Sequence, residues 1–366
     1  MNQDGIEPRY FVETAAKVLD VLETFNSEQE SLSITEIARR TGLTYSSAFR
    51  LLYTLERRGY VMRRAGRKRY SLSPARRKFR IGFATLRSSR FHREVSAAME
   101  AAARKFGLHL ITRVNEEFNL PKALLNAEQL IAEKIDLLVE YQYNDTAGEL
   151  IASKCHQAGI PSISINFAQP GAYYFGGNNY QTGVLAGQFL ARFAQAQWNG
   201  RADACLVLPA RGLTSTQEAR LAGLRDSLLK GLRSLDRKRI LVASPALTVH
   251  EGQLLTRQLL QEAGRNRHVL IAALTDHLGL GAEKAIREAH LEQRAAIAGQ
   301  GGGRDARARI AAGGPFKASV AFFSEAYGES VLSLAIRILK GEKVPLISYT
   351  NHIVLTAENL RDYYAT

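Results

Sequence analysis

Five basic residues, Arg63, Arg64, Arg67, Lys68 and Arg69, stand in the fourteen-residue stretch GYVMRRAGRKRYSL, Gly59–Leu72, which holds no acid. From Arg39 to Arg80 there are fourteen Lys or Arg against one acid, Glu56, a local net of +13 in a chain whose total is +14. Guanidinium and ammonium groups at this density neutralise phosphates, so the chemistry they point to is contact with a polyanion. The plainer alternative is a solvated basic face. Bond-making chemistry has no comparable signature. GxxxxGK[ST] and GxSxG are absent, GQGGGR at Gly299–Arg304 lacks the third glycine of GxGxxG, and the eight histidines show no ligand spacing. Cys155 and Cys205 sit in apolar surroundings without metal-ligand spacing and read as core-filling. No catalytic residue, metal site or cofactor is expected, and the chain is read as a binding protein, not an enzyme.

The elements that must position the basic run are legible upstream of it. From Tyr10 to Phe25, Val12, Ala15, Val18, Leu19, Leu22 and Phe25 recur at three- and four-residue steps, the period of one helical face. Ser33 with Glu36 three residues on is a capping box, which starts a second helix near Ile34. Gly42 supplies a tight turn, Thr44 caps a third helix, and Ala48, Leu51, Leu52 and Leu55 point inward until Gly59 ends it. YVMRR and RYSL read as two strands of a hairpin around Ala65-Gly66, with the basic residues at its tip. This is a winged helix-turn-helix. Its third helix would lie in the major groove and its wing on phosphates or the adjacent minor groove. The expected DNA-contacting residues are Thr44, Tyr45, Ser46, Ser47, Phe49 and Arg50 on the helix, with Arg67, Lys68 and Arg69 on the wing. Arg50 suits either a bidentate bond to guanine or a phosphate. Helix capping by the serines and packing by the aromatics are the structural alternatives.

The segment SITEIARRTGLTYSSAFRLLYTLERRGYV resembles the N-terminal winged helix of IclR-type transcription regulators over roughly residues 10 to 73. The resemblance implies a homodimer on double-stranded operator DNA. That family's usual effector domain does not follow. After a basic joint, SPARRK, strand-sized apolar runs alternate with amphipathic helices: FRIGFAT, LHLITRV, DLLVEY, IPSISIN, ACLVLPA, RILVAS, HVLIAAL, AAIAGQ, ASVAFF and ISYTNHIVL. Alternation of this kind predicts parallel sheets covered on both faces, and ten strands divide more comfortably into two sheets than one.

RIGFATL, AGIPSISIN, GGNNYQTGVLAGQFLA, STQEARLAGLRDSL, TDHLGLGAEKAI and IRILKGEKVP are similar to the periplasmic-binding-protein type I fold, as in ribose-binding and LacI-type effector domains, over about residues 79 to 356. The resemblance implies two discontinuous lobes closing on one small ligand, with crossings near Asn179, Phe323 and Tyr349. The expected organisation is therefore a winged helix over 1–73, a linker over 74–79, and a two-lobed α/β domain over 80–366. Lobe one takes about 80–178 plus 323–349, and lobe two about 179–322 plus 350–366. The family's ligand contacts would fall on Arg87, Phe91, Glu140, Asn166, Asn178, Glu218, Asp276, Gln300 and Phe322. Sugar binders of the family often have aspartates where Asn166 and Gln300 stand, and an arginine where Glu218 stands. A hydroxyl-rich ligand suits the carboxamides and carboxylates; an amine-bearing one suits Glu140, Glu218 and Asp276 equally.

The whole reads as a ligand-responsive transcription regulator sensing a sugar-like molecule, with a solute receptor or a sugar-kinase-like enzyme carrying a DNA-binding head as alternatives. At 366 residues and 46% hydrophobic content the chain can bury more than one core. No apolar run approaches the ~20 residues of a membrane span, and the N-terminus MNQDGIEPRYF lacks export features, so a cytoplasmic location is expected.

Overall fold

The computed structural model describes residues 11–364 apart from 27–29, 64–67, 74–78, 117–118, 211–214, 245–247 and 264–266. It divides into two units, Met1–Lys78 and Phe79–Thr366. The expected linker at 74–79 thus lies, but for Phe79, outside the described residues.

In the first unit, α1 (Glu13–Glu23) and the short strand β1 (Leu32–Ser33) precede α2 (Ile34–Thr41). Ser33 caps α2 as its sequence predicts: its Oγ accepts the Glu36 N–H at 3.3 Å, and the Glu36 carboxylate accepts the Ser33 N–H at 2.7 Å. Gly42 then adopts φ 69°, a left-handed turn that costs little without a Cβ. α3 (Tyr45–Arg57) starts from Thr44, whose Oγ1 accepts the Ser47 N–H at 3.2 Å. β2 (Val61–Arg63) and β3 (Arg69–Leu72) pair antiparallel, and β1, not foreseen from the sequence, completes the order β1-β3-β2. Val21, Phe25, Ile37, Leu52, Leu55, Val61 and Tyr70 close the core.

Helix α1 keeps part of its expected face: Val18, Leu22 and Phe25 pack on the core, but so does Val21, whereas Val12 and Leu19 are 62% and 55% exposed. Apolar residues occupy two sides of this helix, and three- and four-residue spacing merges them, so the inward side is set only by what α1 packs against.

In the second unit, β4 (Arg80–Thr85), α4 (Arg90–Phe106), β5 (His109–Val114), α5 (Leu120–Ala132), β6 (Leu137–Glu140), α6 (Asp145–Gln157), β7 (Ser162–Ile165) and β8 (Tyr173–Gly176) form the first run. The chain then continues through α7 (Asn179–Trp198), β9 (Ala204–Leu208), α8 (Ser215–Gly231), β10 (Ile240–Val242) and α9 (Val249–Ala263). β11 (Val269–Ala273), α10 (Asp276–Glu288), β12 (Ala295–Gly301), α11 (Arg304–Ala311) and β13 (Phe316–Ala321) follow. It closes with α12 (Tyr327–Leu339), β14 (Ile347–Tyr349), β15 (Val354–Thr356) and α13 (Leu360–Tyr363).

Two six-stranded sheets result, ordered β14-β8-β7-β6-β4-β5 and β10-β9-β11-β12-β13-β15. All pairs are parallel except β13 with β15. The chain passes between the sheets three times: from β8 to α7, from β13 to α12, and from β14 to β15. ISYTNHIVL, expected as one strand, is therefore two: β14 pairs with β8, and β15 with β13. A local apolar pattern cannot show that its two ends serve different sheets. β8, at YYFG, was also missed, because a four-residue aromatic run carries no periodicity. Both cysteines are buried, and burial pushes their thiols up to about 12.

α7 and α8 lie unusually close. Gly183 and Gly187 of α7 face the α8 backbone at Arg220 and Leu224, and Gly223 of α8 faces the Tyr180 carbonyl of α7, with no room for a Cβ at any of the three. The glycines in GVLAGQ and RLAGL thus set the height of α8. Gly183→Ala is expected to force the helices apart and lower stability by about 1–3 kcal/mol, read from urea denaturation; an unchanged midpoint would mean that α8 yields freely.

Candidate functional site

The first unit presents one exposed face of α3. Tyr45 and Phe49 are 59% and 47% exposed, Ser46 and Arg50 are exposed too, and Ser47 is half-buried. The Phe49 and Tyr53 rings stack at 6.4 Å with the Arg57 guanidinium 5.9 Å over Tyr53, a flat cationic-aromatic surface. The Thr44 hydroxyl is engaged in capping, accepting from Ser47 N and donating to Ser47 Oγ at 3.0 Å. On the wing Lys68 is exposed, and Arg67 lies outside the described residues.

Arg69 needs correction as a free phosphate contact. Its guanidinium donates to the Ser31 carbonyl at 3.0 and 2.6 Å and pairs with Glu36 at 2.9 Å, tying β3 to β1 and to the capping box. The Ser33 backbone N–H, with help from Ser33 Oγ and Arg69, holds the Glu36 carboxyl down to about 2. Sequence spacing could not reveal this, since Ser31 and Arg69 meet only through strand pairing.

In the second unit the carboxyl ends of the strands converge on a cleft of about 410 Å³, the place where open α/β sheets bind ligands. Of the nine residues expected at this site, Phe91, Asn166, Asp276, Gln300 and Phe322 line it, and Arg87, Glu140, Asn178 and Glu218 do not. Arg87 is exposed on the loop after β4, where its carbonyl accepts from Arg93 at 3.3 Å. Asn178 is the N-cap of α7, accepting the Gln181 N–H at 3.1 Å. Glu218 is exposed on α8. Glu140 ends β6 with its side chain on the far face of the sheet beside Cys155 of α6; strand alternation gives the cleft to the next residue, Tyr141. Glu140 is buried with no partner for Oε1 among the described residues, and burial pushes it up to about 8.

The cleft also contains residues the sequence reading missed. Arg220, two positions beyond Glu218, reaches it from the first turns of α8. Its Nε donates to Asn179 Oδ1 at 2.6 Å, its Nη1 to the Leu274 carbonyl at 3.2 Å, and its guanidinium lies 4.9 Å from the Phe322 ring centroid. The cleft thus holds an arginine at Arg220 and not at position 218, because helical phase turns the two side chains in different directions. Burial lowers the Arg220 pKa, but an arginine starts high enough to stay cationic at neutral pH.

His92 is the second omission. Its Nδ1 accepts the Ser89 N–H at 3.3 Å, which leaves the proton on Nε2, 2.9 Å from the Tyr143 hydroxyl. Burial, then the Arg93 and His277 charges, push His92 down to about 4, so it is neutral at pH 7. His92 packs edge-on to Tyr141 and Tyr143, which with Phe91 and Phe167 make an aromatic wall. The single motif that could have flagged it is the second capping box, Ser89 to His92.

Asp276, the first residue of α10, accepts the Ser319 hydroxyl at 2.6 Å and the Gly303 N–H at 2.8 Å, and burial raises its pKa. It ties the glycine run Gly301–Gly303 to the start of α10 and, through Ser319, to β13. Asn166 takes φ 64° and accepts the Tyr327 hydroxyl at 3.0 Å. Glu140, Glu218 and Asp276 thus do not converge on one cation, which removes the basis for an amine-bearing ligand. Among the described residues no group of three His, Cys, Asp or Glu could hold a metal, and no helix is long and apolar enough to cross a membrane.

The two parallel sheets, three crossings and a cleft at the strand ends define a two-lobed solute-binding fold. The chain belongs to the family of the periplasmic binding protein domain, which matches residues 81–343, and residues 14–65 match the IclR helix-turn-helix domain. A periplasmic solute binding protein of an ABC transporter from Actinobacillus succinogenes 130z, with bound D-allose, superposes at TM-score 0.69 and 19% identity over 78% of this chain and 100% of its own. A solute binding protein from Bacillus halodurans C-125 with bound myo-inositol gives 0.69 and 19%, over 78% and 97%. An ABC sugar transporter subunit from Rhodobacter sphaeroides 2.4.1 gives 0.66 and 21%, over 77% and 99%. No curated protein matches the chain.

Proposed function

We propose that the protein is a ligand-responsive transcription regulator: a homodimer that binds double-stranded operator DNA in the cytoplasm and senses a small polar molecule, a sugar or sugar derivative, between its lobes. The observation that carries this reading is one chain joining an IclR helix-turn-helix to a solute-binding fold with a formed cleft. The bound D-allose and myo-inositol of the similar structures support a hydroxylated effector. It is a binding protein and not an enzyme. Tyr45, Ser46, Phe49 and Arg50 read base edges, Ser47 and Thr44 set the helix start, and Lys68 with Arg67 contacts phosphate. The exposed stripe of Val12, just before α1, with Ala15 and Leu19 on α1 supports pairing of two copies. Effector that favours one lobe arrangement shifts the population of dimers whose two heads fit the half-sites.

Selection of genomic fragments by the full-length protein, followed by titration across roughly 50 to 200 mM salt, tests this. Lys68→Ala is expected to reduce the slope of log affinity against log salt by about one, uniformly across sequences. Arg69→Ala should instead lower the stability of the winged helix. Failure to enrich any sequence, or affinity indifferent to salt, would remove the DNA-binding reading.

A further inference from the structure

The charges of the cleft are unequally matched. Each carboxylate lining it has a partner: Glu94 accepts from Arg90 Nε at 2.9 Å and from the Ser324 hydroxyl at 2.7 Å, Asp305 from Arg90 Nη1 at 3.4 Å, and Asp276 from Ser319 and Gly303. Of the lining arginines, Arg90 is paired with these carboxylates and Arg304 is exposed, and Arg220 differs from both. Its bonds go to two neutral oxygens and an aromatic face. Among the described residues it has no carboxylate partner, and residues 211–214 and 245–247 contain no acid. A half-buried guanidinium without a counter-charge at the floor of a cleft is a ready seat for an anion.

Two buried amides add a second requirement. Gln217 and Gln300, 8% and 3% exposed, line the cleft, and the Oε1 of each has no partner among the described residues. Whichever way each amide is turned, a polar end stays open to a hydroxyl, which both donates and accepts. Against these polar groups stands the wall of Phe91, Tyr141 and Phe167, suited to the C–H face of a ring.

We propose that the effector is a hydroxylated organic anion: a carboxylate or phosphate seats on Arg220, hydroxyls meet Gln217 and Gln300, and an apolar ring face lies on the aromatic wall. A planar guanidinium with two of its donors held by Asn179 and Leu274 presents its remaining N–H groups in a fixed direction, the geometry that favours a planar or tetrahedral oxyanion over a single hydroxyl. The inference rests on the cleft being an effector site, as proposed above, and narrows the class that site takes.

Calorimetric titration of the full-length protein with glucose, glucuronate, gluconate, glucose 6-phosphate and myo-inositol, and with the galactose and mannose counterparts of each sugar, tests it. At least one anion is expected to bind tenfold or more tighter than its neutral counterpart, with affinity falling as salt rises. Whether acid or phosphate binds tighter distinguishes the two sources of charge. Arg220→Gln should bring the anion to parity with the neutral sugar, and Arg220→Lys should retain part of the preference. If these variants fail to fold, the wild-type comparison still decides. Neutral sugars binding tighter than every anion would overturn the anionic effector and leave the sensor reading standing. Silence from all compounds would overturn the sensor reading and this inference with it.

Discussion

An Asp276→Ala protein is expected to unfold at markedly lower urea, with a loss of about 3–5 kcal/mol, and to lose effector binding under conditions where it is still folded. Asp276 is buried at the start of α10, and its two oxygens accept the Ser319 hydroxyl and the Gly303 N–H. Ser319 Oγ in turn accepts the Gly302 N–H at 3.0 Å. Truncation leaves donors of two strand ends without an acceptor, at about 1–3 kcal/mol each, and opens a cavity besides. The structure of the glycine run follows from this carboxylate, and Gln300 immediately precedes that run. Asp276→Asn keeps one acceptor oxygen but turns an amide donor toward a donor, so it should fall between wild type and alanine. Amide exchange at Gly302 and Gly303 gives the local readout: protection retained in the alanine variant would show that the run is held by something other than Asp276.

Glu140→Gln is expected to stabilise the protein, by on the order of 2 kcal/mol at pH 7, and the gain should vanish below pH 4.5. Burial beside the apolar face of α6 raises the Glu140 carboxyl from 4.5 to about 8. The folded state therefore keeps a proton that the unfolded chain releases above about pH 4.5. Stability is full below that pH and is lost as pH rises toward 8, which the amide avoids by carrying no charge in either state. His92 acts in the opposite sense: neutral in the fold with its pKa at about 4 rather than 6.5, it withdraws stability as pH falls through that window. Comparing the Glu140→Gln and wild-type proteins at each pH cancels the histidine contribution. Urea midpoints that differ equally at pH 4 and pH 8 would show that the variant acts through packing and not through the proton.

The asymmetry between Arg69 and Lys68 shows why a basic run is not read residue by residue. Both are cations of one hairpin, yet strand pairing places Arg69 beside Ser31 and Glu36 and leaves Lys68 in solvent. Within the cleft the same logic separates Glu140 from Tyr141, which are adjacent in sequence and lie on opposite faces of a sheet. It also separates Glu218 from Arg220, two residues apart and pointing about 200° apart around a helix.

What the sequence determined alone was local or periodic. The Ser33–Glu36 capping box, the Gly42 turn, the burial of Ala48, Leu52 and Leu55, and the alternation of strand and helix that makes two parallel-type sheets depend on neighbours within a few residues, so their physics is written in spacing. The family motifs likewise pointed to both domains, and the glycines that make GVLAGQ and RLAGL specific are those where α7 and α8 touch. What only the tertiary structure decided was non-local: the inward side of α1, the antiparallel edge of β15, and the partners of Arg69, Asp276 and Arg220. Each of these is fixed by atoms tens to hundreds of residues away, and a side chain's partner across such a distance is chosen by packing of whole elements, which no local pattern encodes.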